Sequence, residues 1–381
     1  MKKPNLPTVN KKRKGDKFLF LAIISLLIFG IIVVYDVSIV YAHDVFGGKY
    51  YFLILQSIWV ILGLIGFLIG YKVDYHKFEK FAFPIFLIAL VTLIVVILPT
   101  AFSPKIYGAR RWLYLNPEPF PKLPILGRIG FQPSEFFKLS FILYLALFFS
   151  KREKSSIISF GLLLLVSVGL VMLQPDFGTA MLVSGIAIIM YFISGANILH
   201  FILGLPSAIF GALLLMFATP HSRARIQTYL NPGVSDLSGA GYHINQILIA
   251  LGSGGLFGLG FGQSRQKYDY LPEVATDSIF AVIGEELGFI GLCALISVFL
   301  FIIFRGFKIA KHAPDRFGRF LATGLISWFA IQCIVNLSAM VHLIPLTGVP
   351  LPLISYGGSS MIFGLSGLGI LLNVSRYSDS S

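Results

Sequence analysis

Charge is what this chain has least of. Only 12% of its 381 residues are Asp, Glu, Lys or Arg, about half the ~25% of a soluble domain. Cysteine is scarce too. Cys293 and Cys333 both lie inside apolar runs, which argues against a disulfide framework, and no Cys/His cluster has zinc spacing. The seven histidines are scattered and form no HExxH. The one glycine-rich stretch that resembles a nucleotide loop, GLGFG at 258–262, has no Gly-Lys-Ser/Thr and no strand context, so neither a P-loop nor a Rossmann reading stands. No internal repeat is visible, which weakens an inverted-repeat transporter. Acidic residues number 17 against 30 basic, a net charge of +13. In an apolar chain such an excess marks cytoplasmic loops rather than a nucleic-acid partner, and none is expected.

What the chain has instead is apolar residues, 56% of the total, with mean hydropathy +0.84. Inside lipid only helices or closed barrels satisfy the backbone. The apolar runs are about 20 residues long, as a membrane helix requires, and lack the ~10-residue alternation of barrel strands. The expected fold is therefore all-α and polytopic, with about ten transmembrane helices. They fall near 18–40, 50–71, 82–99, 132–149, 156–173, 177–194, 198–218, 278–304, 319–341 and 355–374. Gln174, Pro175, Asp176 and Gly178 split the run from 156 to 194 into two spans.

Residues 1–17 form a basic tail carrying Lys2, Lys3, Lys11, Lys12, Arg13, Lys14 and Lys17. The run behind it is too long for a signal-peptide core and reads as a retained anchor. The domain expectation is a cytoplasmic tail at 1–17, one transmembrane domain at 18–375 and a second tail at 376–381. With the N-terminus inside, 19 of the 30 basic residues fall in inside segments and 10 in outside loops, so both termini are placed in the cytoplasm. The outside positives concentrate in loops 100–131 and 219–277, where anion binding and ordinary solvated charge are both open readings. The second loop, between helices 7 and 8, is long enough to be functional. Its segment 241–251, GYHINQILIAL, reads as a short interfacial helix. Its glycines read as backbone packed closely at the membrane surface.

Several residues could carry chemistry. Glu135 and Lys138 are three apart on one helix face and can pair; the pair either holds the bundle or sets Lys138 near a phosphate. Asp176 reads as a helix cap. Asp277 stands where the long loop meets the eighth span, so Thr276 or Asp277 would cap that helix, while a carboxylate at the mouth of the bundle can also act as a general base. Glu273 precedes it by four residues. Glu285 and Glu286 are neighbours about 100° apart around a helix, so at most one should face the interior. Arg110 and Arg111 suit phosphate through their planar forks, and Trp112 offers a face to a sugar or sits in the interfacial belt. In GVPLPLISYGGSSM, Ser355 and Ser359 open the last span, where free N–H groups hold anions or small residues permit close packing.

These residues give the chain its resemblance to the SEDS family (shape, elongation, division and sporulation proteins). GARRWL, FQPSEFFKLS, LQPDFGTA, the long stretch GYHINQILIALGSGGLFGLGFGQSRQKYDYLPEVATDSIFAVIGEELGF and GVPLPLISYGGSSM occur in family order. SRQKYDYLPE and QPDFGT look more like the division branch, FtsW, than the elongation branch, RodA. The resemblance implies a peptidoglycan glycosyltransferase that polymerises lipid II at the outer face of the bacterial cytoplasmic membrane. It implies that Asp277 is the catalytic residue of an inverting transfer, and that a class B penicillin-binding protein and other division proteins are partners. Arg111 and Lys138, then Arg110 and Lys267, are the expected positive groups for the leaving pyrophosphate. A divalent cation, Mg or Mn, is compatible with that chemistry, but the chain shows no dedicated metal cluster. A lipid II flippase, a RodA-like elongation polymerase and a non-catalytic division scaffold are the alternatives. Two features depart from the family pattern: Ala275 stands where a His usually precedes the catalytic Asp, and NPEPFPKLPILGRIG at 116–130 lengthens the link between Trp112 and Gln132.

Overall fold

The computed structural model describes residues 15–106, 108–123, 127–151, 157–202, 229, 240–268, 271 and 273–378. Most of the described chain is helical. α1 (Lys17–Phe46), α2 (Tyr51–Lys72), α3 (Tyr75–Ile97), α4 (Pro133–Ser150), α5 (Ile157–Met172) and α6 (Phe177–Ile193) come first. α7 (Ala240–Ser253), α8 (Ile279–Lys311), α9 (Arg316–Met340) and α10 (Gly358–Ser375) follow. Seven of these are long and apolar enough to cross a membrane, and α5 and α6 are shorter apolar helices. Nine of the ten expected spans thus fall on described helices; the other, 198–218, lies outside the described residues beyond 202.

The helices end where sequence chemistry ends them. Asp16, Asp74, Asp176 and Asp315 cap α1, α3, α6 and α9 through their side-chain oxygens, satisfying N–H groups that have no partner inside the helix. α3 starts at Tyr75, seven residues before the expected span, because the Asp74 cap recruits a polar first turn.

α2 and α10 approach closely because α2 carries glycines on one face. A Cβ on Gly63, Gly66 or Gly70 would come within 2.6, 2.2 or 2.8 Å of α10 atoms. In lipid, where apolar burial gives little, such contacts supply the association. Among the described spans α9 is the most enclosed: 83% of its apolar window is buried, and α4, α6, α8 and α10 pack around it.

At one end of the bundle, Asp16 meets Arg305 at 2.6 Å, and the Asp16 amide donates to Ser375 Oγ at 3.1 Å. The first and last helices thus meet there. The site lies at the opposite end, where α8 and α10 begin and α9 finishes.

Candidate active site

Asp277 is 5% exposed and lies one residue before the N-cap of α8. That cap position is Ser278, whose side chain makes no capping bond, so neither Thr276 nor Asp277 takes the expected capping role. The chain turns tightly instead. Glu273 adopts φ 51°, a left-handed conformation uncommon outside glycine and often found at functional sites. Its carbonyl accepts from the Thr276 amide at 3.0 Å and from Thr276 Oγ1 at 3.0 Å. Thr276 Oγ1 also lies 3.2 Å from Asp277 Oδ1.

Three distant elements hold this turn. From α9, Asn336 Nδ2 donates to the Asp277 carbonyl at 3.0 Å and to the Val349 carbonyl at 2.8 Å. From the segment before α10, the Tyr356 amide donates to the Ala275 carbonyl at 2.8 Å. From α7, His243 Nε2 lies 2.6 Å from Ser278 Oγ. Such a mount fixes Asp277 through its backbone, while Oδ1 accepts from Thr276 Oγ1.

Asn336 ends a polar stripe. Trp328 Nε1 donates to Gln332 Oε1 at 2.8 Å, and Gln332 Nε2 donates to the Pro350 carbonyl at 3.0 Å. With Asn336 these residues are spaced by four on α9, one turn apart along one face. Lys138 Nζ lies 5.0 Å from the Trp328 ring and 2.8 Å from Glu135 Oε1. The Lys138 and Glu135 side chains are 1% and 5% exposed, so the pair joins α4 to α9 inside the bundle.

The glycine-rich segment of the long loop fits into a break in α8. Gly288 (φ 66°, ψ −171°) interrupts that helix. The break frees the carbonyls of Glu285 and Glu286 and the amides of Phe289 and Ile290. Leu259 N, Gly260 N, Gly255 O and Leu256 O satisfy them at 2.9, 3.0, 2.9 and 3.2 Å respectively, so the break leaves these backbone groups paired. A Cβ on Gly258 would lie 2.1 Å from the Glu286 carbonyl. Both glutamates then grip the loop. Glu285 Oε2 accepts from Ser264 Oγ at 2.5 Å, Glu285 Oε1 from Arg265 N at 3.1 Å, and Glu286 Oε1 from Ser264 N at 3.1 Å. Lys267 Nζ reaches Asp36 Oδ1 at 3.0 Å, the Gly262 carbonyl at 2.6 Å and Glu286 Oε1 at 3.4 Å, so its charge is committed to this anchor.

The arginines also contact main chain. Arg111 Nε donates to the Gln174 carbonyl at 3.0 Å and Nη2 donates to the Pro175 carbonyl, bracing the turn between α5 and α6. Arg110 donates to the Ser103 carbonyl. Each guanidinium carries five N–H donors, so these bonds leave donors over. Trp112 is half-buried beside them. Two short strands flank the 116–130 insertion. β1 (Leu113–Tyr114) pairs antiparallel with β2 (Gly130–Phe131), and Asn116 bonds to the carbonyls of Pro121 and Gly127 and to the Ile129 amide. The β1–β2 pair brings the chain back to the start of α4.

Ser355 Oγ accepts from the Leu351 amide at 2.8 Å and Ser359 Oγ from the Gln132 amide at 2.9 Å. These two hydroxyls close a turn and tie α4 to α10. Asp176 caps α6 through Thr179. Among the described residues no group of three or more His, Cys, Asp or Glu is arranged to hold a metal. Reasoning from sequence missed Asn336, Gln332 and His243; the two amides could have been found as polar side chains inside an apolar span, which default to functional hypotheses.

A family model described as "Cell cycle protein", FtsW/RodA/SpoVE, matches residues 17–380. The chain is 40% identical to stage V sporulation protein E of Bacillus subtilis (strain 168), over 97% of this chain and 99% of the relative. It is 39% identical to the probable peptidoglycan glycosyltransferase FtsW of Trichlorobacter lovleyi, over 94% of this chain and 93% of that one. Among solved structures it matches one from a study of the structural coordination of polymerization and crosslinking by a peptidoglycan synthase complex, at TM-score 0.74 and 26% identity, covering 96% of this chain and 99% of that chain. It also matches the rod shape determining protein RodA of Thermus thermophilus, at TM-score 0.69 and 27% identity, covering 96% and 98%.

Proposed function

The chain belongs to the FtsW/RodA/SpoVE family, and from that premise we propose that Asp277 is the general base of glycan polymerisation. The protein is a multi-pass membrane protein and a peptidoglycan glycosyltransferase. The substrate is lipid II. Asp277 takes the proton from the 4-hydroxyl of the acceptor sugar. The freed oxygen attacks the anomeric carbon of the donor, the bond from that carbon to pyrophosphate breaks, and undecaprenyl pyrophosphate leaves with inversion. What supports this is a buried carboxylate that caps no helix, held through its backbone at the mouth of the bundle.

Arg110 and Arg111, with donors to spare, are the proposed positive groups for the leaving pyrophosphate. Trp112 stacks on a sugar beside them, and Glu273 shapes the turn through its carbonyl. Lys138 with Glu135, Lys267, Ser355 and Ser359 hold the frame. Lys17, Lys72, Lys77, Lys80, Lys151, Lys308 and Lys311 lie in or beside helix ends at the pole away from Asp277, which supports a cytoplasmic pole there and an active site outside. The names of the relatives support a division-type role, with a class B penicillin-binding protein and other division proteins as partners.

The test is polymerisation of labelled lipid II by the purified protein, with and without its class B partner. Wild type should give glycan ladders and Asp277→Asn none, with both eluting as folded protein. Full activity in Asp277→Asn would overturn the assignment. Lipid II crossing liposomes with no ladders under any condition would replace the polymerase with a flippase.

A further inference from the structure

His243 lies in α7, 35 residues before Ser278, yet its Nε2 is 2.6 Å from the Ser278 hydroxyl. Ser278 is completely buried. It occupies the N-cap of α8, where a serine ordinarily turns its oxygen onto a free N–H of its own helix. Here the side chain makes no such bond, and its hydroxyl engages α7 instead. α7 also buries Ile244, Ile247 and Ala250. Apolar contact is non-directional, so it holds α7 down without fixing its register. The His243–Ser278 bond is directional and does fix it.

We propose that His243 is a positioning residue for the glycosyl transfer. Through Ser278 it sets the orientation of the adjacent Asp277 carboxylate and makes α7 a working part of the active site. The inference rests on Asp277 being the base. Asn336 and Tyr356 hold the main chain of the turn on two sides, at the carbonyls of Asp277 and Ala275. His243 closes the third side, at the first residue after Asp277. A neutral imidazole with a bare Nε2 accepts the Ser278 hydroxyl, and a protonated one donates to it. The bond is available in both states, so its positioning role does not depend on the ring's charge.

The experiment compares wild type, His243→Ala, His243→Gln, Ser278→Ala, the double variant His243→Ala/Ser278→Ala, and Asp277→Asn in the lipid II polymerisation assay. A misplaced reacting group costs up to about a hundredfold in rate, so His243→Ala should lower kcat about tenfold or more while KM for lipid II stays within about twofold. His243→Gln, whose amide reaches the Nε2 position, should restore most of that loss. Ser278→Ala should match His243→Ala, and the double variant should be no worse than either single one, since all three remove the same bond. If His243→Ala does not fold, the Gln and Ser278→Ala variants decide the matter. Unchanged kcat in Ser278→Ala, additive losses in the double variant, or a folded His243→Gln as inactive as the alanine variant would each overturn the proposal. An inactive Asp277→Asn beside an unaffected Ser278→Ala would defeat this inference alone; an active Asp277→Asn would defeat the base assignment beneath it.

Discussion

Asn336 bridges two backbone carbonyls that are 72 residues apart, those of Asp277 at 3.0 Å and Val349 at 2.8 Å. Both belong to segments with no regular ladder of their own, and the amide lies at 1% exposure. Removing it leaves two buried acceptors unpaired, at about 1–3 kcal/mol each. Asn336→Leu should therefore lower the thermal midpoint in detergent and cut polymerisation at least tenfold, in line with the rate cost of a misplaced group. Asn336→Gln, with the same amide on a longer arm, should recover stability better than rate. Polymerisation at the wild-type level in Asn336→Leu would show that the clamp is not needed to hold Asp277.

The Glu135–Lys138 pair makes a different prediction. Both groups are sealed in the bundle, so removing one strands the other as a buried charge, at about 3–5 kcal/mol, whereas replacing both with apolar residues is often neutral. Lys138→Met and Glu135→Leu should each lower the midpoint strongly, and the double variant should regain most of the loss. A direct phosphate contact by Lys138 would give another pattern: a raised KM in Lys138→Met at an unchanged midpoint, with no rescue by Glu135→Leu. Thermal scans and lipid II titrations on the three variants separate the two.

The spans were legible because each needs an unbroken apolar run, and length alone gives that away. Their ends were less so. α3 begins seven residues before its expected start, since Lys77, Glu79 and Lys80 sit in two polar opening turns behind the Asp74 cap. α10 begins at Gly358, because Ser355 folds back onto Leu351 instead of opening the helix. Asp277 stood out through its position after a loop and before an apolar run. The roles of Glu285 and Glu286 did not. The 100° between neighbours assumes a helix wrapped by other helices, but the break at Gly288 admits a loop that meets both carboxylates at Ser264. His243 and Ser278 could not be paired from sequence, because no periodicity links a residue in a loop helix to one 35 positions on.

The seat of the glycine-rich loop is steric and can be tested as such. At Gly288 a Cβ would lie 2.3 Å from the Gly258 amide nitrogen, at φ 66°. Gly258→Ala and Gly288→Ala should each sharply reduce folded yield, as both force the backbones apart and break the hydrogen bonds that pair the loop with the broken helix. Gly252→Ala, in the last turn of α7 just before that loop and with open space around it, should be tolerated. Fluorescence-detected size exclusion of the three variants reads the difference, and equal yields for all of them would contradict a locked loop.

At the other pole, Asp74 allows a prediction in pH. Its carboxylate caps α3 through the His76 amide at 3.1 Å and lies 2.7 Å from His76 Nδ1, whose ring also stands 3.4 Å from Asp315 Oδ2. Burial acts to raise the Asp74 carboxyl, but the bonds from His76 outweigh it and hold the group below its usual range. A carboxylate whose folded value lies below its unfolded one contributes stability above the unfolded value, and that contribution is lost as pH falls through the folded value. Asp74→Asn keeps a good capping residue and removes only the charge. It should therefore lower the thermal midpoint at pH 7, and the gap to wild type should close as pH drops below about 4, the ordinary aspartate value. Midpoints measured from pH 3 to 7 check this. A gap of constant size across that range would mean that Asp74 acts through its shape as a cap and not through its charge.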